Sequence, residues 1–478
     1  MRTLIAFLFA FLSTSPLVLA QSDGHRITVS VPDFEGEEAY LAYHFGSKQY
    51  IRDTATVRNG TFTFASDTSQ LEGGIYMVVF PPNNQFFEIL ISEDEQHFSV
   101  ENKVGNFVEN ARFEGSPTNS LFYEYLGFLG DQRTQTAPYQ KVLKDSTATE
   151  AEKAEARQAL AQTGKAVKAY QKDLVEAHPE SLAAKVIQLS WQIELPDSLK
   201  ELPKEERQQA QLEYYREHFF DYTDLSDGRI VRTPLYEQKL NEYLDRLTAR
   251  HPDSLSEAVD HIMGEIEAAG NNDELYKFTA SHFLNKFARS KYMGMDAVYA
   301  HVALNYYDKG KAFWMEEEEI QKIVKNARKL VPLLIGNKAP DLQLKTLDGK
   351  PVSLHKVKAD YTIVYFWDPD CGICKKASKV LVEVYDKYKD KGIEIFGVCN
   401  KTYEELAKCG KSAEEKNMTW INAADPYGQG QAHSKYDIRA NPTLFILDKD
   451  KTIIYKQIGA KQVDEILARE LKLESEEK

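Results

Sequence analysis

Two cysteines separated by two residues, Cys371 and Cys374, are the side chains in this sequence best suited to covalent chemistry. A thiolate is a strong nucleophile, and an ordinary cysteine with a pKa of about 8.5 is only partly ionised near neutrality. At this spacing the two sulfurs can close a disulfide, and an attack by the first on a foreign disulfide can be resolved by the second. The flanking residues say how the pair is held. Tyr361 to Trp367 is an apolar, β-branched and aromatic run, the pattern of a buried strand. Asp368-Pro369-Asp370 breaks it, because proline fixes φ and biases the preceding residue away from helix. From Cys371 to Lys389 the pattern is helical, with Val380, Leu381, Val384 and Tyr385 on one face. Cys371 is therefore expected at a helix N-terminus, where free N–H groups and the helix dipole favour an anion, and Cys374 one turn further in.

Trp367-Asp-Pro-Asp-Cys-Gly-Ile-Cys-Lys375 resembles the active-site stretch of thioredoxin-fold proteins. The segment from about Gly336 to Leu473 is similar to the TlpA/ResA-like thiol-disulfide oxidoreductases of bacterial envelopes. Gly336 to Leu344 and Leu347 to Leu354 resemble that group's opening hairpin, and Asn441-Pro442-Thr-Leu-Phe-Ile-Leu-Asp448 its proline loop and following strand. The resemblance implies a cis-proline at Pro442 facing the cysteines, with Asn441 and Trp367 helping to align a substrate. It implies no dissociable cofactor. Electrons would come from a membrane reductase or a thioredoxin-like donor, and the partners would be disulfide-containing envelope proteins.

Three positions depart from the family pattern. Most relatives carry a buried Asp or Asn six residues before the first cysteine to accept a proton from the second thiol. Here that residue is Tyr365, and a phenol with a pKa near 10 is a poor acceptor. The cytochrome-maturation branch has a glutamate six after the first cysteine, where this chain has Ala377, which argues against haem-apoprotein reduction. Asp370 stands directly before Cys371, and with Asp368 it should disfavour the thiolate. Lys375 and Lys376 oppose this but can point to water, and Gly372-Ile373 offers no histidine, so the couple is expected to be reducing.

Cys399 ends an apolar strand pattern, Gly392 to Cys399, and reads as a small buried hydrophobe. Cys409 lies in the next helical stretch, which leaves a second disulfide as an alternative. Zinc is not expected, since the four cysteines lack a second close pair.

The rest of the chain is read as positioning and targeting. It has 478 residues, 42% hydrophobic and 28% charged, room for three domains. Residues 1–20 have the form of a secretory signal: Arg2, the apolar Leu4 to Leu12, and Val18-Leu-Ala20 before cleavage. A soluble periplasmic protein cleaved after Ala20 is expected. The formal charge of −14 has the wrong sign for nucleic acid or an anionic membrane. Residues 25–112 read as a small β sandwich-like domain of short strands, with Asn59-Gly60 as a turn signature. Residues 113–333 read as an all-α helical domain. His178-Pro-Glu-Ser-Leu182 and His251-Pro-Asp-Ser-Leu255 repeat one helix-break pattern, in which the histidines end helices rather than bind ligands. Leu330 to Pro340 is a short apolar linker into an α/β thioredoxin fold over 334–478. Both leader segments resemble domains of unassigned role found ahead of other envelope thioredoxin-like modules.

The expected function is exported thiol-disulfide exchange, reducing or isomerising envelope disulfides through Cys371 and Cys374. Two alternatives stand beside it. One is a non-enzymatic envelope binding protein whose cysteine pair is a structural disulfide. The other is a peroxiredoxin-like peroxidase, whose Pro-x-x-x-Thr-x-x-Cys pattern this chain lacks.

Overall fold

The computed structural model describes residues 24–472, except 271 and 309. The expected secretory signal lies outside the described residues. The chain divides into two compact units, 1–242 and 243–478, so the helical stretch anticipated as one domain is shared between them.

In the first unit, short alternating runs form β1 (His25–Ser30), β2 (Glu38–Phe45), β3 (Lys48–Thr56), β4 (Thr61–Ser66), β5 (Gly74–Phe80), β6 (Gln85–Ile91), β7 (His97–Glu101) and β8 (Arg112–Glu114). They make two four-stranded sheets, β4-β1-β7-β8 and β3-β2-β5-β6. Inward residues of both, among them Val29, Phe64, Val78 and Ile89, share one core with Phe122, Leu182 and Ile187 of the following helices. Asn59 and Gly60 turn at positive φ (48° and 72°) between bridged Arg58 and Thr61. The Glu150–Ala177 helix opens with a Thr149/Glu152 capping box. Its C-cap is His178, and Ser181 caps the helix that follows. The second break differs: His251 itself caps its helix, accepting from the Asp253 N–H at 3.3 Å.

The second unit places helices Pro252–Ala268, Asp273–Ala288, Asp296–Val302 and Glu317–Leu330 ahead of a thioredoxin-like sheet. Its strands are β9 (Gln343–Thr346), β10 (Pro351–Ser353), β11 (Tyr361–Trp367), β12 (Ile393–Cys399), β13 (Ile421–Ala424), β14 (Thr443–Leu447) and β15 (Ile453–Lys456). Their order is β10-β9-β13-β12-β11-β14-β15. β12 runs parallel to both β11 and β13, while β14 returns antiparallel beside β11. β11 is apolar throughout because it is buried on both faces: Val364 and Phe366 enter one core, Ile363, Tyr365 and Trp367 the other. The Gly372–Tyr388 helix covers the second face, burying Cys374, Ala377, Leu381, Val384, Tyr385 and Tyr388 at helical spacing.

The linker is docked, as its composition suggested. Leu333 joins the core on the Val364 face. Lys456 at the end of β15 is 3% exposed. Its Nζ donates to the Leu333 carbonyl at 2.7 Å and pairs with Asp296, on the helix Asp296–Val302.

Candidate active site

β11 delivers Trp367 to the carboxyl edge of the sheet, and the next three residues form a tight turn. The Asp370 N–H donates to Asp368 Oδ1 at 2.7 Å, and the Cys371 N–H to the Asp368 carbonyl at 3.2 Å. Cys371 is the N-cap of the Gly372–Tyr388 helix. Its sulfur accepts the Cys374 backbone N–H at 3.2 Å, as a capping serine or aspartate oxygen would. Cys371 is half-buried; Cys374, one turn inward, is 1% exposed. No disulfide joins the two sulfurs in this structure.

This asymmetry separates their acidities. Burial pushes Cys371 up, but the Cys374 thiol and the backbone N–H groups of Cys374 and Ile373 outweigh it, and the net shift is downward. Cys374 is pushed up to about 12, first by burial and then by its hydrogen bond to Cys371. One thiol is therefore poised to ionise and the other to keep its proton. At pH 8 Cys374 should remain protonated as well as buried. Iodoacetamide at that pH is expected to place a single adduct on the native reduced protein, at Cys371. Two adducts in the intact-mass spectrum would contradict the assignment.

Tyr365 lies directly beneath. Its hydroxyl donates to the Cys374 carbonyl at 3.2 Å and lies 3.0 Å from Ser378 Oγ. Burial raises its pKa, so it keeps its proton and supplies no base. Tyr365 stacks with Trp367 at 6.4 Å between centroids. Trp367 is 1% exposed, so it supports the site from below and has no surface with which to align a substrate.

Asn441 and Pro442 arrive from the loop before β14. Their peptide bond is cis, and the Cys371 thiol points to the Asn441 carbonyl at 3.5 Å. Beside the sulfur, Ile373 is 67% exposed, an apolar side chain at the lip of the site.

The aspartates do not act as bare charges. Lys401 Nζ lies 3.1 Å from Asp368 Oδ2, 2.9 Å from Asp370 Oδ2 and 3.7 Å from Glu405 Oε2, and Lys408 reaches Asp370 at 3.2 Å. The Lys401 and Lys408 hydrogen bonds hold the Asp370 carboxyl below the usual range. Asp368 still pushes the Cys371 thiol up, but the cations paired with the two aspartates come from beyond β12, not from Lys375 or Lys376, which are exposed. Cys399 is bonded to Cys409, so it is not a lone buried hydrophobe. Lys401 and Asn400 were missed because no local pattern marks them. The available signal was their position just past the carboxyl end of a parallel strand, where α/β sheets place their sites.

Three family models match the chain: the AhpC/TSA family over residues 335–456, and two domains of unknown function, DUF5106 over 148–330 and DUF4369 over 25–122. The thiol-disulfide oxidoreductase ResA of Bacillus thuringiensis subsp. konkukian (strain 97-27) is 30% identical over 139 residues, covering 29% of this chain and 77% of the relative. A domain of a possible thiol-disulfide isomerase from Cytophaga hutchinsonii ATCC 33406 is 35% identical over 30% of this chain and 99% of its own, with a TM-score of 0.28. A thioredoxin-like protein from Bacteroides caccae ATCC 43185 is 20% identical over 58% of this chain and 98% of its own, with a TM-score of 0.45.

Proposed function

We propose the following course for this chain, which belongs to the ResA family of thiol-disulfide oxidoreductases. The Cys371 thiolate attacks one sulfur of a protein disulfide. A Cys371–substrate bond forms as the substrate bond breaks, and the departing sulfur leaves as a thiolate that takes up a proton. Cys374 then loses its proton and attacks Cys371 Sγ, freeing the second substrate thiol. Two electrons have passed to the substrate, and the chain is left with a Cys371–Cys374 disulfide. A dithiol donor, at the membrane or thioredoxin-like, returns it to the reduced state. If a substrate thiol resolves the adduct instead, the outcome is isomerisation with no net electron transfer.

The observation that carries this reading is the pairing of a capping, downward-shifted Cys371 thiol with a buried Cys374 one turn away, beside the Asn441–Pro442 loop. In it, Cys371 is the nucleophile, Cys374 the resolving thiol, and Asn441 with Pro442 the backbone that aligns the substrate. A peroxidatic reading finds less support, since Val364 and Asp368 occupy the places where that pattern needs Pro and Thr.

The proposed setting is the periplasm, after removal of residues 1–20, with disulfide-bearing envelope proteins as substrates. The leader-like composition of that stretch supports it, and among the described residues no helix is long and apolar enough to cross a membrane.

A reducing direction is favoured on grounds that differ from the sequence argument. Lys401 blunts the aspartate repulsion, but what lowers Cys371 is a set of neutral donors, and no histidine or lysine is among its main influences. The thiolate therefore lacks a directly paired cation, the arrangement that lowers a thiol's pKa furthest. Equilibrating the full-length protein with dithiothreitol or glutathione buffers is expected to give a potential nearer the −270 mV or so of reducing dithiols than the −120 mV or so of strong oxidants. A value above about −180 mV would replace the reductase with an oxidase.

A further inference from the structure

Just past β12, Cys399-Asn400-Lys401 does three things at once. The backbone N–H of Asn400 donates to the Trp367 carbonyl at 2.8 Å, continuing the β11–β12 pairing to the last residue before the active-site turn. Its side-chain Nδ2 donates to Asn441 Oδ1 at 2.6 Å, and its Oδ1 accepts from His433 Nε2 at 2.6 Å. Asn441 is the residue whose carbonyl faces the Cys371 sulfur. One residue therefore ties the strand that leads into the cysteine turn to the loop that faces the thiol. The next residue, Lys401, is 11% exposed at its side chain and bridges Asp368 and Asp370.

The segment is anchored. Cys399 is bonded across ten residues to Cys409 in the Leu406–Glu415 helix, and both are buried. A lysine side chain loses on the order of 2 kcal/mol of rotamer entropy when held in one geometry. Fixing its backbone from two sides lowers the remaining cost of keeping it on two carboxylates.

We propose that Asn400 and Lys401, anchored by the Cys399–Cys409 disulfide, are positioning residues of the redox site: Asn400 holds the Asn441–Pro442 loop in register with Cys371, and Lys401 offsets part of the carboxylate charge beside the thiol. This rests on Cys371 being the attacking thiol. It adds that protein substrates and thiolate formation depend on two different side chains outside the Cys-x-x-Cys stretch. The titratable groups around Cys371 are Cys374, Tyr365, Asp368 and Asp370. Lys401, Lys408 and Glu405 stand behind the aspartates, His433 acts through Asn400, and Lys375 and Lys376 are exposed on the cysteine helix.

The test uses the full-length reduced protein. Alkylation of Cys371 by iodoacetamide across pH, insulin-disulfide reduction, and reduction of a small aromatic disulfide are measured for the parent and Cys371→Ser. A parent no more reactive than Cys371→Ser defeats the reading of the site itself, whatever the other variants do. With an active parent, Lys401→Gln is expected to displace the alkylation profile to higher pH. The rate at pH 7 should fall about two- to fivefold, since fewer thiolates form while each becomes somewhat more nucleophilic. Lys401→Arg should restore most of it. Asn400→Ala is expected to slow insulin reduction about fivefold, the size of one lost hydrogen bond, with the small disulfide, which needs no backbone alignment, changed less than twofold. An unchanged profile in Lys401→Gln, or an unchanged ratio of the two substrates in Asn400→Ala, overturns the proposal. The Cys399→Ala/Cys409→Ala variant should show both effects. If it does not fold, the two single variants, which keep the bond, decide.

Discussion

Cys374→Ser is expected to accumulate mixed disulfides with other proteins, while Cys371→Ser accumulates none. Cys371 caps its helix half-exposed and ionises first, so it makes the first bond. Its exit is Cys374, whose backbone N–H already touches the sulfur. Well-oriented intramolecular groups act at effective concentrations on the order of 10⁵ M, whereas external thiols are millimolar, so deleting Cys374 should lengthen the adduct's life many thousand-fold. The trap is clean, because the two remaining cysteines, Cys399 and Cys409, are bonded to each other and buried. Non-reducing gels of cell extracts, with the Cys374→Ser bands excised and identified, would show it and name the substrates. Equal trapping by both variants, or by neither, would reverse or remove the roles given to the two thiols.

Asp296→Ala is expected to destabilise the 243–478 unit by about 3–5 kcal/mol, the cost of leaving one member of a buried ion pair without its partner. Lys456 is 3% exposed, and among the described residues its ammonium meets Asp296 and the Leu333 carbonyl. For a unit of this size the loss corresponds to a melting temperature lower by on the order of 10 °C. A second variant separates charge from packing. Asp296→Leu combined with Lys456→Met should recover most of the loss, since apolar replacements of similar volume are often neutral or better. The comparison is a thermal melt followed by tyrosine and tryptophan signals. An Asp296→Ala midpoint within about 2 °C of the parent would mean that Lys456 finds water, and that the helices before residue 333 hold the module less tightly than this contact suggests. The same contact bears on a break at residue 334. A fragment starting there would expose Lys456 and lose Leu333 from its core, so it should melt below the intact unit.

The cysteine stretch was legible before any coordinates because its signals are local. A strand buried on both faces must be apolar at every position, Pro369 must end it, and a helix with one buried face must repeat at 3.6 residues. Those constraints act within about thirty residues, and they alone put Cys371 at a helix start with Cys374 a turn behind. Strands whose residues do not alternate were not legible. β3 escaped notice because nearly all its side chains face outward, and β13 because it is four residues inside a long connection. The electrostatics of the thiol were legible only in part: Asp368 does push Cys371 up, as its place in the sequence implies, but its counter-charge was hidden. Asp368 and Asp370 are visible beside Cys371 in the sequence, but the lysine that meets them lies thirty residues on, and it arrives only because β11 and β12 are paired in parallel with Trp367 opposite Cys399. The same register brings Asn400 to Asn441 and leaves Cys399 within 6.3 Å, Cα to Cα, of Cys409. Residue types and short-range spacing determined which atoms react. Which charges and amides surround them was decided by sheet pairing, because the partners converge from separate strand ends that share no periodicity along the chain.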